Sequence, residues 1–464
     1  MNILFVTKFE LTRVQIEVAK RLEGVEVFFL CVSQQTSRIC LQEGVDASRI
    51  ISMDIRSLYL PKPLAHFDDE NVIDPIATND IFTIDRYLRY RSATEKKRYG
   101  VVLSKLLKAC VSSGFFNLIF GEATWAHELA LSRACSPVEV PCRFFSPAMM
   151  RYPSGRFGFF EGELQEAVFG PETVGDNQES GSTEASYSLE KPYYLKINDQ
   201  KLQTEYSVKG VFNRLKNFLT NRNVDPLNPC NMPARRIRLQ LVLGLYINAL
   251  FYKIILRPRF IPIPELENYV LLTLHKQPER SIDVLGKGFE DQAYLIGLIH
   301  RKLPPGWKLV VKEHSNAVGD RGYTFFRVIQ SFDDVVLVSE KQDSTELIKN
   351  AKVVVSVSGT ACFEAAIYDV PSFTIAPMYF NKLPGSWQLL GGDLMSAHDI
   401  AELIQQKLKR ERASSPASSV LADFQASSFR GLWTDVNTSS SVLTPKNLDE
   451  LSVGFQWVID KHAD

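Results

Sequence analysis

The sequence predicts an α/β protein with two domains, each built on a mostly parallel β-sheet. The chain has 464 residues, enough for about two or three domains at roughly 150 residues each. Short apolar runs alternate with helical patterns in both halves. Between the halves, the proline-rich residues 258–264 (PRFIPIP) restrict the backbone and mark a domain boundary.

The first half begins in the order strand, helix, strand. The predicted strands are residues 3–6, 25–31, 116–120 and 142–145, and the predicted helices are 14–22 and 125–134. We therefore expect an N-terminal α/β domain over residues 1–257. Residues 175–188 are small and polar, and they predict a mobile loop.

The second half repeats the alternation more regularly. Its predicted strands are 269–274, 308–312, 335–338, 352–356 and 372–376, and its predicted helices are 291–302, 344–350 and 360–368. We expect a second α/β domain over residues 265–440, followed by a C-terminal helix at 441–464 that packs back on the first domain. Two such sheets would enclose a cleft between their carboxyl ends, where open α/β sheets bind ligands.

Composition excludes some classes of partner and compartment. The 53 basic and 53 acidic residues balance, so no overall field attracts nucleic acid. The seven cysteines include no CxxC pair, which favours reduced thiols. The first residues lack the basic region and cleavage site of a secretory signal. We therefore expect a cytoplasmic protein.

One long apolar stretch covers residues 239–256, and polar side chains interrupt it. Three arginines precede it, at Arg235, Arg236 and Arg238. We interpret residues 235–256 as a helix that does not span a membrane. Two alternatives remain for it: peripheral contact with a membrane surface, or burial between the domains.

The first strand end of the second domain carries polar residues and a glycine pair. His275 and Gln277 follow the strand, and Gly286 and Gly288 precede a helical pattern. Glycines at such a place let backbone N–H groups approach an anion. The pattern predicts contact with a phosphate or a sugar, although a GxG pair also occurs in ordinary turns.

The second strand end places Lys312 and His314 on one face by the two-residue period of a strand. A protonated histidine and a lysine can together stabilise a departing phosphate without a metal. The alternative is that His314 is a structural residue with its hydrogen bonds satisfied.

The third strand end has the turn Ser358-Gly359-Thr360 at the start of a helix. Hydroxyl groups, close backbone approach and the helix dipole make this turn a predicted anion site. Glu364 lies one turn into the helix, where its carboxylate could accept from a ribose diol. The alternative is an ordinary helix start with a capping box.

In the first domain, Glu122 stands where a strand ends. A carboxylate there could act as general base on a hydroxyl group if burial raises its pKa. His127 and Glu128 are rival candidates one helical turn later, and Glu122 could instead cap the following helix.

The sequence contains no HExxH motif, no convincing DxD loop, no G-x-S-x-G elbow and no P-loop. The predicted chemistry therefore needs no metal and no cofactor.

Five spaced motifs of the second half occur in a familiar order: LHKQPERS, LGKGFEDQ, PPGWKLVVKEHS, DSTELIKNAKVVVSVSGTACFEAA and DVPSFTI. Over about residues 269–380 the chain resembles the capsular polysaccharide synthesis family, whose members include Kdo transferases of capsule assembly. The resemblance implies a GT-B-like architecture of two Rossmann-like domains, an acceptor-side first domain, a second domain that binds the nucleotide sugar, and transfer without a metal.

The resemblance also assigns roles. It places Lys312, His314, Ser358, Gly359 and Thr360 around the donor phosphate, and Glu364 near the ribose. Related sequences have proline after the motif histidine, whereas this chain has Ser315. That departure weakens the assignment of a CMP-type donor in particular.

The predicted activity is glycosyl transfer from a CMP- or UDP-linked sugar to a capsule or lipopolysaccharide glycan, or to its lipid-linked primer. Two alternatives stay open. One is a sugar-nucleotide epimerase or hydrolase of the same fold, and the other is a non-catalytic protein of capsule assembly or export.

Overall fold

A computed structural model describes residues 1–67, 76, 79–85, 87–172, 235–258, 260–411 and 415–463. The predicted mobile loop at 175–188 lies outside these residues. The described chain forms two parallel-rich sheets with helices packed against them. The predicted α/β class with two Rossmann-like domains is confirmed.

The first sheet is parallel at its centre and antiparallel at both sides. Its N-terminal strands are β1 (Asn2–Val6), β2 (Glu26–Cys31), β3 (Ile50–Met53), β4 (Leu58–Tyr59), β5 (Leu118–Phe120), β6 (Arg143–Met149) and β7 (Arg156–Glu161). Their spatial order is β7-β6-β5-β1-β2-β3-β4. The central strand β1 is almost wholly buried, because helices cover both faces of the sheet.

The second sheet is parallel throughout. Its strands are β8 (Tyr269–Thr273), β9 (Lys308–Lys312), β10 (Val335–Val338), β11 (Val353–Ser356), β12 (Ser372–Thr374) and β13 (Ser386–Gln388), in the order β10-β9-β8-β11-β12-β13. Alternate residues of β8, β9 and β11 enter two separate apolar clusters. The near-continuous Val and Leu runs of these strands follow from burial on both faces.

The α-helices lie between the strands, as the alternating pattern predicts. Their bounds are Leu11–Ala19, Gln34–Gln42, Asn79–Ile84, Ala93–Leu107, Ala126–Ala134, Arg235–Leu250, Ile263–Leu266, Arg280–Asp283, Gln292–His300, Tyr323–Gln330, Ser344–Asn350, Thr360–Ile367, Gly391–Ser396, Ile400–Arg410, Ala417–Ala426 and Pro445–Lys461. Two π-helical segments, Lys108–Ser112 and Phe251–Leu256, continue the helices that precede them.

The chain returns to the first sheet earlier than residue 441, the predicted start of the returning segment. Strand β14 (Phe429–Arg430) pairs antiparallel with β7. The helix Pro445–Lys461 then packs against the first domain, with the Phe455 ring 5.5 Å from that of Phe5. A Cβ at Gly454 would lie 2.7 Å from the Phe157 ring, so glycine permits this close approach.

The helix Arg235–Leu250 and its continuation pack on the second domain, although the sequence pattern predicts that residues 1–257 belong to the first. Ala249 and Tyr252 join the core of the second domain. By length and composition alone, Leu239–Leu256 could cross a membrane, and only 11% of this window is buried. Burial between the domains does not match this helix, because six of its apolar side chains are exposed: Leu241, Leu243, Ile247, Leu250, Ile254 and Ile255.

Candidate functional site

The carboxyl ends of the two sheets face each other, and Arg280 of the second domain bridges them. Its guanidinium donates to Ser146 Oγ over 2.8 Å and to the Glu163 carbonyl over 3.0 Å. Burial lowers the pKa of Arg280, and the charges of Glu122 and Glu128 oppose that shift. An arginine keeps its positive charge under such conditions. A cation of the second domain therefore lies near the carboxylates at the end of β5.

Glu122 is paired with a lysine of its own domain. Its carboxylate contacts the Lys8 ammonium, and its side chain is 29% exposed. Glu122 is thus only partly buried, whereas the base hypothesis assumed burial. Both residues follow parallel neighbouring strands, β5 and β1, which explains how residues so distant in sequence meet.

Glu128, not Glu122, caps the helix Ala126–Ala134. The buried Glu128 carboxylate accepts from the backbone N–H groups of Glu122, Thr124 and Trp125 at 2.8–3.0 Å. Burial opposes ionisation, but His127, Lys8 and these donors hold the pKa of Glu128 below its ordinary value. The alternative of Glu122 as the helix cap does not match this geometry. Glu128 is a fixed acceptor whose oxygens are already occupied.

The polar strand ends of the second domain lie side by side. The register aligns Thr273 of β8 with Lys312 of β9 and with Ser356 of β11. His275 and Ser358, two residues beyond, meet where the Ser358 N–H donates to His275 Nε2 over 3.3 Å. The structure therefore brings the three predicted strand ends together at one edge.

His275 is a buried neutral histidine. Burial lowers its pKa to about 3, and the charges of His314 and Arg321 add to the shift. Its Nε2 lies 3.0 Å from Ser356 Oγ and accepts from Ser358. Because Nε2 accepts, the proton of the neutral ring is on Nδ1. His275 joins β8 to the turn after β11.

His314 and Lys312 point to different partners. His314 Nδ1 accepts from the Asn316 N–H over 3.1 Å, which leaves the proton of a neutral ring on Nε2. The Nδ1 atom of His314 therefore caps the short turn Ser315–Ala317. The buried Lys312 ammonium donates to the Glu340 carbonyl over 2.9 Å.

The Ser358-Gly359-Thr360 turn starts the helix Thr360–Ile367 without a side-chain cap. The Ser358 hydroxyl donates to the Ser281 carbonyl over 2.7 Å, which fixes the turn. A Cβ at Gly359 would lie 2.4 Å from Ser356 Oγ. Thr360 is exposed. The first N–H groups of this helix and the Thr360 hydroxyl therefore suit an anion better than the Ser358 hydroxyl does.

Glu364 does not cap this helix. Its carboxylate accepts from Arg151 of the first domain at 2.9 Å, and both side chains are largely buried. The capping-box alternative is therefore wrong. For the predicted contact with a ribose, the Glu364 carboxylate would have to accept from the ribose hydroxyls and from Arg151 at the same time.

The remaining predicted residues, Gln277, Gly286 and Gly288, have structural contacts. Gln277 donates to Asp283 over 2.9 Å. A Cβ at Gly286 would lie 2.3 Å from Val357, so this glycine permits close packing. Gly288 has φ +91°. Its N–H donates to Glu290 over 3.0 Å, so that donor already has an acceptor.

Sequence reasoning missed three residues of this site: Arg280, Lys8 and Arg151. Arg280 stands in the motif LHKQPERS, and Lys8 follows the first strand. A search for cations in the segments that follow strands would have found both. Arg151 follows β6, but its pairing with Glu364 depends on how the domains meet, which no local pattern reveals.

Within the described part of the chain, no group of three His, Cys, Asp or Glu side chains could hold a metal ion. The prediction that the protein needs no metal stays a prediction.

No family model matches the chain, and no curated protein matches it in sequence. Similar solved structures include KpsC, a beta Kdo 2,7 transferase of Thermosulfurimonas dismutans, at 11% identity and TM-score 0.33, covering 80% of this chain and 90% of that one. Another is Anabaena Alr3699/HepE in complex with UDP and glucose, at 11% identity and TM-score 0.30, covering 100% of both chains.

A third is the UDP-GlcNAc 2-epimerase of Methanocaldococcus jannaschii, in complex with UDP-GlcNAc and UDP. It has 11% identity and TM-score 0.28, and the match covers 90% of this chain and 94% of that one. Because these TM-scores are low, an activity has to be argued from the residues of the site.

Proposed function

We propose that this protein is a metal-independent glycosyltransferase. It would move a sugar from a CMP- or UDP-linked donor to a capsule or lipopolysaccharide glycan, or to its lipid-linked primer, on the cytoplasmic side of a bacterial inner membrane. The observation that carries this proposal is that the strand-end edges of the two domains lie together and carry different chemical groups. One has Glu122 beside Lys8, and the other has an uncapped helix start beside His275.

In this proposal the second domain holds the donor. The N–H groups at the start of the helix Thr360–Ile367 and the Thr360 hydroxyl bind the phosphates, and the His314 Nε2–H donates to the leaving phosphate. Each hydrogen bond to a charged group contributes about 1.5–3 kcal/mol, so two of them suffice for a rate effect of roughly a hundredfold or more. Lys312 adds positive charge at the same edge.

Glu122 is the proposed base on the acceptor hydroxyl. It stands on the facing edge, and Arg280 crosses the cleft close to it. Glu122→Gln keeps the shape of the side chain and removes the base, so turnover should fall by about a hundredfold or more. Nucleotide affinity should not change, because Glu122 lies in the other domain. Unchanged turnover in this variant would remove Glu122 from the mechanism.

The test of the activity is incubation with CMP- and UDP-linked sugars, with and without acceptor glycans. Transfer that needs the acceptor supports the proposal. Turnover of the donor alone would support a sugar-nucleotide epimerase or hydrolase instead. Calorimetry with CMP and UDP completes the test. If neither nucleotide binds, the result would support a non-catalytic protein of capsule assembly or export.

We further propose that residues 235–256 contact the membrane that carries the acceptor. Ile247 and Ile255 are each 66% exposed, and Leu250 is 63% exposed. Three arginines precede this apolar surface in sequence and would favour anionic lipid. Ile247→Ser with Ile255→Ser should abolish sedimentation with anionic vesicles, whereas exchange of the distant exposed Val138 for serine should not. Equal sedimentation of both variants would contradict the contact.

A further inference from the structure

Arg321 is a buried arginine in the turn at residues 318–321, between strands β9 and β10. Its side chain is 8% exposed, and one guanidinium nitrogen contacts the carboxylate of Glu313, whose side chain is 1% exposed. The other terminal nitrogen donates to the backbone carbonyl of His275. Glu313 follows β9 and His275 follows β8, so this one side chain joins the ends of two neighbouring strands.

The contacts of Arg321 continue to the groups that the proposed function places at the nucleotide. The Glu313 carboxylate accepts from the His314 backbone N–H over 2.8 Å. On the other side, the Nε2 atom of His275 accepts from the Ser358 N–H over 3.3 Å. A chain of hydrogen bonds with Arg321 at its centre therefore joins His314 to the Ser358 turn.

Side chains take over from the β-ladder at this edge. The Leu274 N–H donates to the Lys312 carbonyl over 3.0 Å, as in an ordinary parallel ladder. At the next residue, Gln292 accepts from the His275 N–H over 2.8 Å and donates to the His275 carbonyl over 3.1 Å. Arg321 donates to the same carbonyl. The positions of the residues beyond the ladder therefore depend on side chains.

The turn that carries Arg321 is itself held in place. Gly319 has φ +99°, and a Cβ there would lie 2.6 Å from the Leu245 carbonyl oxygen of the helix Arg235–Leu250. Glycine therefore permits the turn to pack directly on that helix. The guanidinium carbon of Arg321 lies 5.1 Å from the centroid of the Phe325 ring. This cation–π contact fixes the guanidinium at its other side.

Stability alone does not account for a buried pair of arginine and glutamate. Burial raises the pKa of Glu313, and the charge of Arg321 opposes that shift. Burying such a pair costs solvation energy, and its replacement by apolar side chains often leaves a protein equally stable or more stable. Apolar side chains cannot supply a fork of donors with fixed directions, as a guanidinium does. This comparison favours a role of Arg321 in the geometry of the edge.

We infer that Arg321 is a positioning residue of the nucleotide edge, which fixes the spacing between His314 and the start of the helix Thr360–Ile367. The inference rests on the proposed function, in which that helix start binds the donor phosphates and the His314 Nε2–H donates to the leaving phosphate. Phosphate binding at the helix would survive a shift of His314. A shift of about 1 Å in a group that acts on the reaction can cost about a hundredfold in rate. Arg321 should therefore affect turnover more than nucleotide affinity.

Two variants separate positioning from a role in stability. Arg321→Lys keeps a charge beside Glu313 but has a single nitrogen, so it lacks the fork that serves both acceptors. Glu313→Leu with Arg321→Met replaces the pair by apolar side chains and leaves no buried charge unpaired, so this double variant should fold even if Arg321→Lys does not. Arg327→Lys is the matched control, because Arg327 is exposed and lies over the Tyr323 ring.

Three quantities are measured for each protein: kcat of the proposed transfer, affinity for CMP and UDP by calorimetry, and the midpoint of urea unfolding. Both Arg321 variants should lower kcat by about tenfold to a hundredfold. Nucleotide affinity should change by less than about threefold. The double variant should show this loss with a urea midpoint close to that of the unchanged protein. Arg327→Lys should change none of the three.

Imidazole ¹⁵N NMR of histidine-labelled protein tests the inference without turnover. The ring signals of His275 and His314, assigned with His275→Gln and His314→Gln, should shift in both Arg321 variants and stay in place in Arg327→Lys. Unchanged kcat or unchanged ring signals in the folded double variant would overturn the inference. If the unchanged protein transfers no sugar, the proposed function fails, and the ring signals still decide whether Arg321 holds the two histidines.

Discussion

Arg280 of the second domain donates to Ser146 of the first over 2.8 Å, and this bond crosses the cleft beside Glu122. The same guanidinium donates to the Glu163 carbonyl. One residue therefore links the two edges and adds positive charge near the proposed base. A planar guanidinium can do both, because its donors point in several fixed directions.

Arg280→Ala should reduce kcat/KM of the proposed transfer by about tenfold to a hundredfold. The change removes two hydrogen bonds of a charged donor, each of about 1.5–3 kcal/mol, and part of this loss should appear in turnover. Steady-state kinetics measure the effect, with the donor and acceptor that the transfer assay identifies.

Lys287→Ala is the matched control for Arg280. Lys287 also crosses between the domains, where it pairs with Asp80 over 2.6 Å, but its side chain is exposed. A surface pair of this kind contributes about 0–1 kcal/mol. If both variants lose activity equally, Arg280 acts only as one of several interdomain contacts.

His275 should make the protein less stable in acid. Its pKa is about 3 in the fold, against about 6.5 in an unfolded chain. Between these values the unfolded chain binds a proton that the folded one does not. The unfolding free energy should therefore fall as pH decreases below about 6.5, by at most about 1.4 kcal/mol per pH unit from this group.

His275→Gln isolates this effect, because glutamine keeps an acceptor near the Nε2 position and does not titrate. Urea unfolding of both proteins from about pH 7.5 to about pH 4.5 is the measurement. The unchanged protein should lose about 2–3 kcal/mol more than the variant over this range. Parallel pH curves would mean that the pKa of His275 is the same in the folded and the unfolded chain.

The sequence predicted the alternation of strands and helices well, because buried parallel strands produce long apolar runs such as residues 269–274 and 352–356. It also predicted that polar residues would gather at strand ends. It did not predict which hydrogen bonds these residues make. Glu364 looked available for a ribose, yet it pairs with Arg151 from a distant part of the chain. Such pairings depend on tertiary packing, which local periodicity does not encode.

Ser358 and Thr360 should respond differently to loss of the hydroxyl group. Ser358→Ala removes the bond to the Ser281 carbonyl and should lower the unfolding free energy by about 1 kcal/mol. Thr360→Val should leave stability nearly unchanged, because Thr360 is exposed, and should weaken CMP or UDP binding by about three- to tenfold. Urea unfolding and calorimetry measure the two effects. The opposite pattern would place the phosphate at Ser358.

The two nitrogens of His314 can be tested separately. Asparagine places an oxygen close to the Nδ1 position, so His314→Asn should keep the bond from the Asn316 N–H and lose the Nε2–H donor. Turnover of the proposed transfer should then fall by about tenfold or more while the fold stays intact, since one hydrogen bond to a developing charge contributes at least about 1.4 kcal/mol. His314→Gln places an amide N–H near the Nε2 position and should recover part of the loss. Circular dichroism and steady-state kinetics on both variants give the answer. Full activity in His314→Asn would show that the ring serves only to cap the turn at Ser315–Ala317.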